Sequence, residues 1–334
     1  MKTVDIIIPT YKPDKGFIEL VQKLEKQTYP IHKIVIVNTE EKYYNQLIYG
    51  TNFSEENKNV EVYHLSKREF DHGRTRNQGV KRTTADYFVC LTQDAIPADN
   101  DLVAKLVEAI EQPMVAVAYG RQLPDKDCDV IEQYTRLFNY PEQSFTKGIE
   151  DLPRLGIKTY FCSNVCAIYR RDIFEELGGF ISHTIFNEDM IYAAGAVKAG
   201  YRIAYAADAC VIHSHNYTCM GQFHRNFDLG VSQADNPAIF EGVTSESEGI
   251  RMVHRTAEYL RKHGKRNKIF LLYIRSAFKY IGYRMGCNYK KLPRNLVLKC
   301  TLNKDYWRQY NIKHAAAGID ASKGYGRTEA EMKK

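Results

Sequence analysis

The chain predicts an α/β protein: a mostly parallel sheet covered by helices on both faces, followed by a basic helical extension. Three observations predict it. Short, almost wholly apolar runs such as VDIIIP and KIVIVN alternate with segments of helical periodicity over the first 120 residues. The length of 334 residues passes the roughly 250–300 at which a single core usually stops growing. The formal charge of +7 is also unevenly placed. Residues 250–310 hold sixteen Lys and Arg against Glu258 and Asp305, a local +14 that leaves −7 on the remainder.

Taken in order, Val4–Pro9 reads as a strand closed by Pro9-Thr10-Tyr11. Phe17–Gln27 brings Phe17, Leu20, Val21 and Leu24 onto one helical face. Lys33–Asn38 and Val60–Leu65 are the next strands, Thr75–Thr83 a helix opened by Gly73, and Tyr87–Thr92 the fourth strand. Leu102–Ile110 is helical, Val115–Tyr119 extended, and a later strand ends at Val211-Ile212-His213-Ser214-His215. Ligands of such sheets bind outside the carboxyl ends of the strands, so polar residues there are the candidates. Asp94 stands in TQDAIP at one strand end, and DHGRTRNQG supplies a glycine turn at a helix entrance suited to an anion. Glu188 and Asp189 open another helix, and His213 and His215 share one face of a strand end at a spacing compatible with a metal. Turn, cap and surface-pairing roles compete with each of these when it is taken alone. Neither a Walker A nor a G-x-G-x-x-G motif occurs, which disfavours P-loop and dinucleotide chemistry.

None of the eight cysteines sits in a C-x-x-C pair, so free thiols are expected. The longest apolar run in the second half, Ile269–Ile274, is too short for a membrane span. The first residues enter a strand without a signal-peptide pattern, which predicts a cytoplasmic protein or one on the inner membrane face. Between Lys268 and Arg284, Lys268, Arg275 and Lys279 fall on one helical stripe, with Phe270, Ile274, Phe278 and Ile281 opposite. A basic amphipathic helix suits an anionic membrane or nucleic acid. Ala315–Lys334, small and polar, reads as a mobile tail.

In combination and order, these segments resemble the inverting nucleotide-sugar glycosyltransferases of family 2, which have the GT-A fold. The resemblance runs over residues 4–220 and is carried by IIIPTYKP, HGRTRNQG, YFVCLTQDAIP, CSNVCAIYRRDIFEELGGF and NEDMIYAAGAVKAGYRIAYAADACVIHSH. The HGxTRNxG form, TQDA and HSHNYT are most similar to the bacterial polysaccharide rhamnosyltransferases. The implied organisation is a GT-A transferase domain at 1–220, a basic, mostly helical extension at 221–314 and a flexible tail at 315–334.

The resemblance implies that Asp189 is the base that deprotonates the acceptor hydroxyl, with Glu188 orienting base or acceptor. It places Pro9, Thr10, Tyr11, Asn38, Glu40, Gly73, Arg76, Asn77, Gln93 and Asp94 around the donor. Asp94 corresponds to the last acid of the family's D-x-D, whose first acid is Thr92 here. Asp94 and His213, with His215 as substitute, would then hold Mg²⁺ or Mn²⁺ against a leaving diphosphate. The implied reaction takes L-rhamnose from dTDP-L-rhamnose to a lipid-linked saccharide, which gives Lys268, Arg275 and Lys279 an anionic membrane surface as partner and no nucleic acid. A UDP-sugar transferase of the same family and an inactive transferase-like binding module are the alternatives.

Overall fold

The computed structural model describes residues 1–242 and 246–308; the tail expected at 315–334 lies outside the described residues. The first half runs β1 (Val4–Tyr11), α1 (Lys15–Glu25), β2 (Lys33–Thr39), α2 (Glu41–Ile48), α3 (Phe53–Glu56), β3 (Val60–Leu65), α4 (His72–Val80), β4 (Tyr87–Leu91), β5 (Ile96–Pro97), α5 (Leu102–Ile110) and β6 (Val115–Leu123). It continues with α6 (Val130–Asn139), β7 (Phe145–Lys147), α7 (Leu152–Leu155), β8 (Cys166–Arg170), α8 (Arg171–Glu176), α9 (Glu188–Lys198) and β9 (Arg202–Ile212). Five helices follow: α10 (Cys219–Asp235), α11 (Pro237–Phe240), α12 (Glu246–Lys262), α13 (Ile269–Cys287) and α14 (Arg294–Cys300).

The strands form one nine-stranded sheet in the order β3-β2-β1-β4-β8-β6-β9-β5, with β7 also on β9. Its first four strands are parallel; β1, β2 and β4 are near-continuous buried apolar runs, whereas β3 at the edge is only partly buried. Beyond β4 it becomes mixed, because β8 enters antiparallel to both β4 and β6. Two apolar layers cover it: one holds Phe17, Leu20 and Leu24 of α1 with Leu102 and Leu106 of α5, the other Tyr192 and Val197 of α9 with Phe174 and Phe180. Strand order reverses between β1 and β4, so the crevice outside their carboxyl ends is framed by Thr10, Tyr11 and the segment 92–94. All eight cysteines are free.

The helical extension packs on this domain rather than standing apart. α12 and α13 share a small core with Ile131 of α6 through Ala257, Leu260 and Leu272. α10 and α13 cross backbone to backbone. A Cβ at Gly282 would collide with the Phe223 carbonyl, and one at Gly286 with that of Phe227.

The crossing sets the orientation of α13 and corrects the expectation for its basic stripe. Lys268, Arg275 and Lys279 lie on the same side as Gly282 and Gly286, turned toward the protein. Arg275 pairs with Asp129 at 3.0 Å, and Lys279 lines a cleft with Glu132 and His215. The exposed stripe is instead Phe270, Tyr273, Tyr280 and Ile281, of which Phe270 is 75% exposed. Glycine's missing side chain is what lets the helix turn this way, since only that face can approach α10 so closely. Among the described residues no helix is long and apolar enough to cross a membrane.

Candidate active site

At the end of β4 the chain turns at 92–94 and presents the half-exposed carboxylate of Asp94 to the crevice. β9 runs beside β6 and delivers His213 and His215 to the same point. The Nε2 atoms of His213 and His215 lie 3.6 and 3.3 Å from the two oxygens of Asp94. The three residues' ligating atoms fall within 4.8 Å of one another. His213 Nδ1 is 3.0 Å from Gln122 Oε1. An amide oxygen can only accept, so Nδ1 carries a proton and Nε2 is the nitrogen turned to Asp94. Gln122 is itself held, accepting from Arg136 at 2.5 Å and donating to Ser163 Oγ at 3.0 Å.

This donor set fits a divalent cation: one carboxylate oxygen and two imidazole nitrogens converge, with one imidazole oriented by its outer hydrogen bond. Two nitrogen donors suit Mn²⁺ better than the oxygen-seeking Mg²⁺. Burial would raise the Asp94 pKa, but the adjacent imidazoles, His213 foremost, hold it well below the usual carboxylate range. Burial and the neighbouring His213 push His215 down to about 4, leaving it neutral and able to ligate at physiological pH.

The acidic pair opens α9. Glu188 is buried and bonded at 3.0 Å to both Arg76 Nη1 and Asn164 Nδ2. Asp189 accepts from the Asn164 N–H at 2.8 Å and from the Met190 N–H at 2.8 Å. Its pKa lies well above the usual carboxylate range because it is partly buried, and because Glu188 beside it is ionised. Glu188 is held low by Arg76 and His72 despite its burial. The two environments split the pair into a permanent anion and a group able to exchange a proton near neutrality. Asn187, immediately before them, is left-handed at φ 66° with a buried Nδ2 that finds no partner among the described residues.

The remaining expected donor residues divide. Thr10 Oγ1 donates to Asn38 Oδ1 at 2.9 Å, and Asn38 Nδ2 meets His64 Nδ1 at 3.0 Å, so both ends of that amide are engaged. Pro9 is partly buried in β1. Gln93 bonds both backbone groups of Tyr11, tying the ends of β1 and β4 together. Glu40, left-handed at φ 65°, accepts from the Lys67 N–H at 2.7 Å. Tyr11 is 39% exposed, edge-on to Tyr43 at 5.7 Å, with Lys12 over both rings.

Three expectations at α4 are corrected. Its N-terminus is already filled by Asp71, whose carboxylate accepts from the Arg74 N–H at 2.8 Å and the Thr184 N–H at 3.1 Å. Gly73 instead allows the Ile181 carbonyl to approach, where any Cβ would collide. Asn77 spends its amide on both backbone groups of Phe180, and Arg76 pairs with Glu188 instead of facing a diphosphate. The sequence reading did not single out Gln122, Arg136 or Asn164 as functional. Nor did it mark Lys147, a buried lysine pushed down to about 7 by desolvation, which donates to the carbonyls of Lys158 at 2.6 Å and Phe161 at 2.7 Å. These bonds pin the segment that leads into Ser163 and Asn164. Lys147 stands between Thr146 and Gly148 at the end of β7, and nothing local in the sequence signals its burial.

With this geometry in place, comparison with known proteins is informative. Residues 5–178 match the sequence model of glycosyl transferase family 2. The chain is 37% identical over 321 residues to the O-antigen chain rhamnosyltransferase RfbN of Salmonella typhimurium, covering 94% of this chain and 98% of the relative. It is 36% identical over 325 residues to the O-antigen chain rhamnosyltransferase WbaN of Salmonella anatum, covering 95% and 99%. Among solved structures, the fold is similar to the mannosyltransferase PcManGT of Pyrobaculum calidifontis, solved with GDP-Man and Mn²⁺. The TM-score is 0.54 at 14% identity, over 94% of this chain and 87% of the other. Residues 1–349 of TarS from S. aureus give a TM-score of 0.50 at 16% identity, over 86% and 91%.

Proposed function

The chain belongs to glycosyl transferase family 2 and is a glycosyltransferase, and on that premise we propose that it transfers L-rhamnose, with inversion, from dTDP-L-rhamnose to a hydroxyl of a lipid-linked polysaccharide precursor. The observation that carries the chemistry is Asp189, a partly buried carboxylate raised toward neutrality beside an ionised Glu188 at the mouth of α9. The rhamnose assignment is supported by the two O-antigen rhamnosyltransferases matched over nearly their whole length.

In this reading the acceptor oxygen attacks the anomeric carbon from the face opposite the diphosphate. The carbon–oxygen bond to the diphosphate breaks as the new glycosidic bond forms, and the hydroxyl proton passes to Asp189. Glu188 stays ionised against Arg76 and holds Asn164, whose N–H aims the Asp189 carboxylate. Asp94, His213 and His215 would hold Mn²⁺ or Mg²⁺, which would supply positive charge to offset that of the diphosphate. Tyr11 and Tyr43 offer the nucleobase an aromatic corner.

The acceptor's carrier places the enzyme on the inner face of the membrane. The outward stripe of α13, Phe270, Tyr273, Tyr280 and Ile281, is the face suited to the lipid interface, flanked by the exposed Arg266 and Arg284.

The deciding experiment measures nucleotide released from dTDP-L-rhamnose, UDP-galactose and UDP-N-acetylglucosamine, each with EDTA, Mg²⁺ or Mn²⁺. Turnover confined to dTDP-L-rhamnose and strongest with Mn²⁺ supports the proposal. Preference for a UDP sugar replaces the donor, and no turnover with any donor returns the chain to a binding role.

A further inference from the structure

Lys147 ends β7 with its side chain inside the domain, 1% exposed. No carboxylate pairs with it among the described residues. Its Nζ donates instead to the carbonyl oxygens of Lys158 at 2.6 Å and Phe161 at 2.7 Å, with Tyr119 Oη 3.5 Å away. The rings of Tyr119, Phe161 and Phe145 surround the nitrogen at 5.2, 5.7 and 6.0 Å. Taking an ammonium out of water without a counter-ion costs more than burying a methionine of similar length. What the lysine gains is a clamp: its two carbonyls stand at the end of the 3₁₀ turn Gly156–Tyr160, where the turn's own hydrogen bonds leave lone pairs spare. Ile157 and Tyr160 of that turn share a core with Met190 and Ile191 of α9.

The chain leaving the clamp runs directly to the acidic pair. Only Cys162 and Ser163 separate Phe161 from Asn164. The Asn164 N–H donates to Asp189 at 2.8 Å and its Nδ2 to Glu188 at 3.0 Å. Between the two ends, the buried Cys162 thiol lies in the fields of both Lys147 and Asp189. Tyr169 Oη donates to Asn164 Oδ1 at 2.7 Å and so fixes the side chain. The direction of the backbone N–H, by contrast, follows from where the planar peptides of Phe161, Cys162 and Ser163 are held. An N–H donated to a carboxylate favours its ionised form, so this bond opposes the burial and the Glu188 charge that raise Asp189.

Resting on the transferase reading above, we propose that Lys147 is a positioning residue for Asp189: by clamping the Lys158 and Phe161 carbonyls it aims the Asn164 N–H at the carboxylate that takes the acceptor's proton. At 1% exposure it cannot itself touch substrate, so it acts only through the chain. Glu188, Arg76, Cys90, Tyr140, Cys162 and Tyr169 are the ionisable groups that act on Asp189, and all stay in place when Lys147 is substituted.

The test compares wild type with Lys147→Met and Lys147→Gln in the full chain. Methionine fills the lysine's space without a donor, and glutamine keeps two amide hydrogens on a side chain one bond shorter. The Asn164 amide proton is followed by NMR on protein labelled with nitrogen-15 asparagine. In wild type it should lie downfield and move as Asp189 titrates, a response that Asp189→Asn should abolish. In Lys147→Met it should move upfield, and in Lys147→Gln by less. With the donor that wild type uses, kcat of Lys147→Met should fall about tenfold while the donor KM stays within about twofold. The acid limb of its kcat/KM profile should sit about one pH unit higher, because the carboxylate has lost a donor. A lysine that only stabilised the fold would lower the melting temperature and leave the Asn164 amide and the acid limb where they are, and that outcome overturns the proposal. If Lys147→Met does not fold, Lys147→Gln decides by the same two readouts. Persistence of the amide's pH response in Asp189→Asn overturns its link to that carboxylate. Absence of wild-type turnover with every donor overturns the transferase reading, and the amide then still decides whether Lys147 aims Asn164 at Asp189.

Discussion

Gln122 determines which nitrogen of His213 meets Asp94, and it does so with one oxygen that also takes a hydrogen from Arg136. Gln122→Leu removes that acceptor and frees the ring to turn. Mn²⁺ affinity, read by the loss of the free-ion paramagnetic signal on titration, should fall about 10–100-fold. Asp189→Asn should lower turnover about 10²–10⁴-fold while nucleotide binding persists, because it removes the proposed proton acceptor without touching the strand ends. The sign of the pH dependence follows from the raised Asp189 pKa. In the proposed mechanism the base works only when deprotonated, so activity should climb as pH rises, with its acid limb near neutrality rather than near the ordinary carboxylate pKa of about 4. Glu188→Gln deletes the adjacent negative charge and should move that limb to lower pH, a shift visible in kcat/KM profiles. Asp94, His213, His215 and the acidic pair were legible in the sequence because strand ends and helix starts are local features. Arg76 and Asn77 were misread because their direction depends on where α4 lies against α9 and the 180 segment, contacts more than 100 residues away.

Among the elements, periodicity recovered β1 to β4, α1, α4 and α5 to within a few residues, since apolar runs and capped amphipathic stretches dominate there. It could not foresee β8 running antiparallel between β4 and β6, because the strand's apolar run reads the same in either direction. α13 shows a related limit. Its two stripes were separable at 100° per residue, yet the pattern alone did not say which one met the protein. Gly282 and Gly286 held that information, since adjacent turns without side chains mark a close helix crossing. Gly286→Ala should therefore destabilise the protein by about 1–3 kcal/mol in denaturant unfolding, as its Cβ collides with the Phe227 carbonyl. On the opposite face, Phe270→Glu should leave stability unchanged and weaken co-sedimentation with phosphatidylglycerol vesicles by about tenfold.

For the whole molecule, the net +7 conceals a division that the fold puts to use. The acidic part supplies carboxylates to the crevice, and the basic part sends some cations inward to the cleft and leaves others, including Arg261, Lys262, Arg266 and Lys291, exposed. Vesicle binding should accordingly weaken steeply as salt rises, while nucleotide binding at the buried end of the crevice changes less. The aggregate charge was legible from composition, but its partition between cleft and surface required the helix packing.

The glycine seam between α10 and α13 has a mechanical consequence. α10 begins four residues after His215, and its midpoint is locked to α13 with no side chains between the two backbones to act as a cushion. The pair can neither slide nor roll without breaking that contact, so it behaves as a single lever. Its outer arm is the Phe270–Ile281 face and its inner arm ends at the imidazoles, which makes the working distance between any docking plane and the sugar being transferred a built-in length.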